Sequence, residues 1–432
     1  MIAMDRVKEK RIKRANTDWW INEKSMVGTN SMTYIAYMTD MGELHVKEID
    51  AKCSQNISRD ECICRLNCNY ADEQNAPALC ILENGKILVA YTGHAKNHAL
   101  FYRITEKPYD ITSFGTEQTL PYDGWVTYAQ LSENTKRNEI WLFSRVNDVT
   151  WQFRYSKDET KTWSEPVTFL KSDAGGLFFF DIHKQLVASP EGTIEQWFFA
   201  LYGHPRISKD HTIRSGIFTV DGQLTQPNGV PLSMNLYESG ETINLTELST
   251  VYESTEGTTV RLMSVAPTLP LRIGYCSFTL NDADSAVYYS ATYKEGQWRS
   301  SAPIVKVGEF LAPEQTDGSQ TYTPGMSYYY GVGEAGFHPN DGGFIDTNRI
   351  YLARADETNW LLESYVSHDC GEHYMLEQTI RKIPKEKNIK IWRPYVPIYA
   401  QDNLPVYWHE GSYSAHSGGW HSDVVMYIEY DD

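Results

Sequence analysis

Four short stretches of this chain place proton-transferring and anion-binding side chains at the ends of neighbouring strand-like segments. In "DEQNAPALCILENGKILVAYTGH", Gln74 and His94 stand on either side of a hairpin pattern. In "YAQLSENTKRNEIWLFSR", Tyr128 and Arg145 bracket a second one. "LYGHPRI" carries His204 and Arg206, and "RIYLAR" carries Arg354. Imidazole exchanges a proton near neutral pH. A phenol titrates near 10, and a neighbouring cation brings its phenolate within reach. Guanidinium stays charged and grips a carboxylate through two parallel hydrogen bonds. Each residue also has a plainer reading: a Tyr in a strand packs, a His after Gly turns the chain, and an Arg at a strand end pairs with an acid. Chemistry requires that the four stretches converge on one face.

The elements that would bring them together are short strands. Nearly every segment alternates apolar and polar residues between Gly, Asp and Asn turns, and few stretches carry a helical period. Seven comparable strand–turn–strand units follow one another, beginning near residues 31, 76, 128, 183, 250, 342 and 393. Spread over 432 residues they average roughly 60 each, enough for a four-stranded blade with long loops. The expected fold is all-β, a seven-bladed β-propeller formed by residues 1–432 as a single domain. Residues 1–30 are either an N-terminal extension or a closing strand.

"SKDETKTW" at 156–163 and "SHDCGEHY" at 367–374 repeat Ser, Asp and an aromatic at the same offsets. The pattern S-x-D-x-G-x-T-W resembles the Asp-box, a turn between the outer strands of a blade in which Asp caps the turn amides and the aromatic packs beneath. Thr160 replaces the Gly in the first copy, and Tyr374 replaces the Trp in the second. "YSATYKEGQW" at 289–298 is a weaker echo. Asp158 and Asp369 are therefore read as structural.

The formal net charge is −17. Neither nucleic acid nor an anionic membrane is drawn to such a surface, so no nucleic-acid and no membrane partner is expected. A monomer is expected. No run of about 18 apolar residues offers a span. The start, "MIAMDRVKEKRIKRANTDWW", shows no apolar core of a signal peptide. Cys53, Cys62, Cys64 and Cys68 cluster in a polar stretch, but their spacing fits no common zinc pattern. His338, His368, His373, His409 and His421, with Cys276 and Cys370, are the residues from which a structural calcium or zinc site would have to come. No cofactor is expected for catalysis.

The order of "NAPAL…NGKILVAYTGH", "TYAQL…NEIWLFSR", "YGHPR", "GGFIDTNRIYLAR" and "WRPYVPI…LPVYWHEGSY" resembles the seven-bladed propeller polysaccharide lyases with BNR-type repeats, the ulvan lyase and rhamnosyl-glucuronate lyase group. That resemblance implies β-elimination at a rhamnose–glucuronate-type linkage of an anionic polysaccharide, with His94, Tyr128 and Arg145 catalytic. It makes Gln74, His204, Arg206 and Arg354 substrate contacts, and it implies a secreted or periplasmic location. Gln74 stands where the group usually has a second His, and Gln hydrogen-bonds but moves no proton. Elimination needs the C5 proton removed, the carboxylate charge offset and the C4 oxygen protonated, tasks these residue types suit. The alternatives are a sialidase-like glycoside hydrolase and a catalytically inactive carbohydrate-binding propeller.

Overall fold

The computed structural model describes residues 7–16, 26–28, 32–50, 59–64, 72–94, 96–147, 149–172, 178–189, 192–204, 211–233, 235–239, 241–266, 269–280, 282–311, 326–328, 349–395, 406–415 and 419–429. They form antiparallel sheets almost throughout, with one helical turn at Leu236–Ser239 and a few short 3-10 turns. Alternation along a strand is what commits these segments to sheets: in Leu44–Asp50 the side chains of Leu44, Val46 and Glu48 are buried while His45 and Lys47 are half-buried. Strands buried on both faces, such as Glu139–Val146, belong to a sheet packed between two neighbours.

The sheets follow one another around a ring. Each packs on the next in chain order, and the last returns to the first. Strand Val7–Ile12 lies antiparallel to Gly419–Glu429, so the N-terminal segment completes the sheet built by the C-terminal one. This is an all-β propeller whose closure hydrogen-bonds the two ends of the chain together. The closing-strand alternative for the first residues is the one observed for residues 7–12.

The count of sheets differs from the expectation. Instead of seven separate blades, the described residues make five sheets of four or five strands and one of eight. The cause is a single strand, Gln118–Asn134. Its first part pairs with Asn97–Ile104 and its second part with Glu139–Val146, so two successive units share one continuous backbone. Register slips between Pro121 and Val126, where Gly124 adopts φ +126°, and again between Thr127 and Gln130. The candidate residues sit around that second slip.

The two Asp-centred turns are built alike. Asp158 Oδ1 accepts from the Thr162 amide (2.9 Å) and from Ser156 Oγ (3.0 Å), and Asp369 Oδ1 accepts from the His373 amide (2.9 Å) and from Ser367 Oγ (2.9 Å). Ser156 Oγ and Ser367 Oγ in turn accept from the amides of Thr160 and Gly371, which occupy the same left-handed conformation at φ +70° and +87°. A Gly is preferred there because a Cβ is strained at positive φ, and Thr160 carries that strain. The third stretch is different: Glu295 and Gly296, at φ +50° and +81°, form a two-residue hairpin between Lys294 and Gln297 with no Asp at its centre.

Candidate active site

The irregular strand sets the site. Thr127 pairs with Arg145 and Gln130 with Phe143, so Tyr128 and Ala129 together oppose Ser144 alone. This is a β-bulge, which re-aims a side chain that regular alternation would have placed elsewhere. Tyr128 holds φ +61°, an unfavourable conformation for a residue with a side chain. The surrounding packing imposes it: the Tyr128 ring lies parallel to Trp151 (6.4 Å between centroids, 12°) and tilted against Phe179 (6.1 Å), and Tyr128 is 1% exposed.

Four of the expected residues come together around that ring. Tyr128 Oη donates to Gln74 Oε1 at 2.8 Å. The His94 ring lies 6.2 Å from the Tyr128 ring at 23°, and the Arg145 guanidinium stands 4.7 Å above its centroid. Arg145 also lies 5.4 Å from the Phe179 ring centroid, and Phe179 contacts Tyr202 and His204 in turn (5.2 and 5.9 Å). Gln130 sews this part to the next sheet, its amide donating to the Phe180 carbonyl (2.6 Å) and accepting from the Ile182 amide (3.2 Å). His204 therefore borders the group through Phe179. Arg206 lies outside the described residues. Arg354 is on a different sheet, clasped by both oxygens of Glu363 (2.6 and 3.1 Å), which also accepts from Tyr365 Oη.

Three contributors were not picked out from the sequence. Asp72, fully buried, holds the loop in front of Tyr128: Oδ1 accepts from the Gln74 amide (3.0 Å), and Oδ2 faces His94 Nδ1 at 3.3 Å. Asn75 fixes the other side of His94 by accepting its amide hydrogen (2.5 Å). A carboxylate only accepts, so with Asp72 ionised the hydrogen in this contact comes from His94 Nδ1. His94 keeps 24% of its side chain exposed, so the imidazole meets solvent while its orienting acid does not. The third contributor is Arg261, buried on Thr259–Val265. Burial pushes the Tyr202 phenol up to about 12, and Arg261 and Arg145 both pull it the other way. Two buried cations thus act on Tyr202, at the border of the group. Asp72 is the residue a sequence signal could have found, since an acid two residues before Gln74 opens a short turn by capping amides.

What this arrangement offers is groups that can move protons. Gln74 Oε1 accepts the hydroxyl hydrogen of Tyr128, which holds the phenol as a donor. His94, held on Asp72, stands beside it with part of its ring exposed. Arg145 is 2% exposed and lies against the rings of Tyr128 and Phe179, so its charge faces the electron-rich face of the phenol ring.

Residues 32–175, which contain Asp72, Gln74, His94, Tyr128 and Arg145, match the family described as BNR repeat-containing family member. A curated protein described as ulvan lyase, from Nonlabens ulvanivorans, is 26% identical in an alignment of 180 positions that covers 35% of this chain. The chain thus matches about a third, 36%, of that relative's length. Among solved structures, a polysaccharide lyase titled as a PL25 ulvan lyase bound to [GlcA(1-4)Rha3S] superposes with a TM-score of 0.63 at 14% identity, covering 97% of this chain and 96% of the other. A second structure of a PL25 ulvan lyase superposes equally well. At that identity the likeness establishes the propeller fold.

The expected metal residues are dispersed. His409 is buried against Trp392, His373 closes the Asp369 turn, Cys276 is buried and Cys370 is exposed. Cys62 and Cys64 form no disulfide with another described cysteine, and among the described residues no three His, Cys, Asp or Glu side chains are grouped to hold a metal. His338, Cys53 and Cys68 lie outside the described residues.

Proposed function

We propose that this protein is a polysaccharide lyase that cleaves a rhamnose–glucuronate-type linkage in an anionic polysaccharide by β-elimination. The observation that carries the reading is that His94, partly exposed and held on buried Asp72, stands beside Tyr128, whose hydroxyl donates to Gln74. Both stand within the residues that match the BNR repeat family. The matches to ulvan lyases point to the same reaction class.

In this mechanism His94 Nε2 removes the C5 proton of the uronate. The electrons left on C5 form the C4=C5 double bond as the C4–O bond breaks, and Tyr128 Oη gives its proton to the departing oxygen. Arg145 opposes the negative charge that develops between these events, acting across the Tyr128 ring and sparing it the cost of a buried anion. General acid–base assistance of this kind is worth about 10²–10⁴-fold. Gln74, in place of a second His, fixes the phenol as the acid rather than sharing the base's work.

We also read the eight-stranded sheet as two blades joined through Gln118–Asn134, which brings the ring to seven within one domain. The test of function is product mass on a panel of uronate polysaccharides. A lyase releases a new end lighter by one water than a hydrolase does, and absorbing in the ultraviolet. A hydrated, non-absorbing end would replace this reading with the sialidase-like one, and absence of any cleavage would leave a carbohydrate-binding propeller.

A further inference from the structure

Trp125 is the one tryptophan among the exposed large apolar side chains of the described residues, with 49% of its surface open. Indole is costly to leave in water and is more often buried than displayed. Here it is displayed on a rigid mount. The Trp125 amide donates to Asn147 Oδ1 (3.0 Å), and its carbonyl accepts from the Asn147 amide (2.9 Å). Gly124 beside it sits at φ +126°, and a Cβ there would come within 2.4 Å of Asn147 Oδ1, so Asn147 fits closely against bare backbone. The exposed His98 ring meets the indole edge-on, at 4.5 Å and 66°.

Two connections tie this pair to the acid and base. Trp125 lies three residues before Tyr128 on the same strand, at most about 10 Å of extended chain. The turn that holds His94 runs directly into Asn97, which pairs with Val126, and then into His98. The same turn exposes Lys96, a local cation on a molecule whose net charge of −17 otherwise repels a uronate chain.

Resting on the lyase reading, we infer that Trp125, backed by His98, is a stacking subsite for a sugar ring of the anionic polysaccharide other than the ring being cleaved. The carbon-bound hydrogens on one face of a pyranose match the electron-rich indole face, and that contact needs no charge from an acidic protein. The occupant is a carbohydrate polymer, because the ring stacked on Trp125 is a different ring of the same chain from the one at the His94–Tyr128 pair.

The test compares Trp125→Ala and Trp125→Phe with wild type on the long polymer and on the shortest oligosaccharide that wild type cleaves. Because the side chain is exposed, melting temperatures should agree. Trp125→Ala should raise KM for the polymer about three- to ten-fold, the factor one aromatic contact is worth, with the change carried by KM rather than kcat. Trp125→Phe should recover most of it, and the oligosaccharide should show a much smaller rise. An unchanged polymer KM in Trp125→Ala overturns the subsite while leaving the lyase reading in place. Retardation in gels containing the polymer provides a readout free of catalysis. Wild type that is retarded but releases no unsaturated product overturns the lyase reading, and the stacking subsite then stands if Trp125→Ala migrates faster and falls if it does not. Wild type that neither cleaves nor is retarded by any uronate polymer overturns both.

Discussion

Two His–Asp pairs in this molecule look alike on paper and stand in different surroundings. His373 Nδ1 meets Asp369 Oδ2 at 2.7 Å, closer than the 3.3 Å between His94 Nδ1 and Asp72 Oδ2. Yet both partners of the closer pair are open to water, with 70% and 42% of their side chains exposed, and they belong to one turn. Asp72 is 2% exposed and comes from a separate loop, and His94 faces a phenol. Distance alone does not separate the two; burial does. A carboxylate screened by water contributes little beyond its turn, whereas a buried one orients the imidazole and opposes a charge forming on it.

The largest expected effect separates the two imidazoles. His94→Gln should lower turnover on a cleaved polymer by about 10²–10⁴-fold, while His373→Gln should stay within twofold of wild type per folded molecule. Equal losses in both would erase the distinction. The orienting acid comes next. Asp72→Asn keeps shape but weakens a charge-assisted hydrogen bond worth about 1.5–3 kcal/mol, so kcat should fall by about ten- to hundred-fold with KM less affected. A change confined to KM would make Asp72 part of substrate binding instead.

The remaining two effects are on stability. Asp369 is held well below the usual carboxylate range by the His373 amide and side chain and by Ser367, and the stability this contributes is present at neutral pH and lost as pH falls below the ordinary Asp value. Asp369→Ala should destabilise by about 0.5–2 kcal/mol, as for a lost turn or helix cap, without changing turnover per folded molecule. Loss of activity at unchanged melting temperature would mean the turn does chemistry. A third imidazole extends the contrast. Burial, reinforced by the neighbouring Arg393 cation, pushes His409 down to about 3. Unfolded, the same group binds a proton below about 6.5. The unfolded state therefore takes up the extra proton between pH 6.5 and 3, and stability falls as pH drops through that window. His409→Phe removes this dependence, so melting temperature should decline less steeply from pH 6.5 to 4 than in wild type. Parallel curves would contradict a neutral, buried His409.

Much of the architecture was legible because period-two alternation and Ser–Asp turn spacing are local. Gln74, His94, Tyr128 and Arg145 were visible as strand-end residues on hairpins whose ends had to meet. Other features depend on register, which a one-dimensional pattern does not carry. Pro121 and Gly124 carry the composition of a turn, but the strand runs on through both, and two units fuse into one sheet. Asp72 sits in a polar run that resembles a solvated loop, and only the fold buries it. Arg145 and Arg354 are the same residue type at comparable strand positions. Pairing with Glu363 nine residues later neutralises one, while the bulge at Tyr128 and the approach of Phe179 from the next sheet place the other over aromatic rings.

Tyr128→Phe tests the central claim most directly, because it removes one oxygen from a packed ring. Release of ultraviolet-absorbing unsaturated ends should be followed for both proteins on a uronate polymer that wild type cleaves. Leaving buried Gln74 without its donor should cost about 1–3 kcal/mol of stability, so the variant remains folded but melts earlier. It should still bind the polymer and form essentially no absorbing product. Product formation at the wild-type rate would contradict Tyr128 as the proton donor and require another acid on this rim of the propeller.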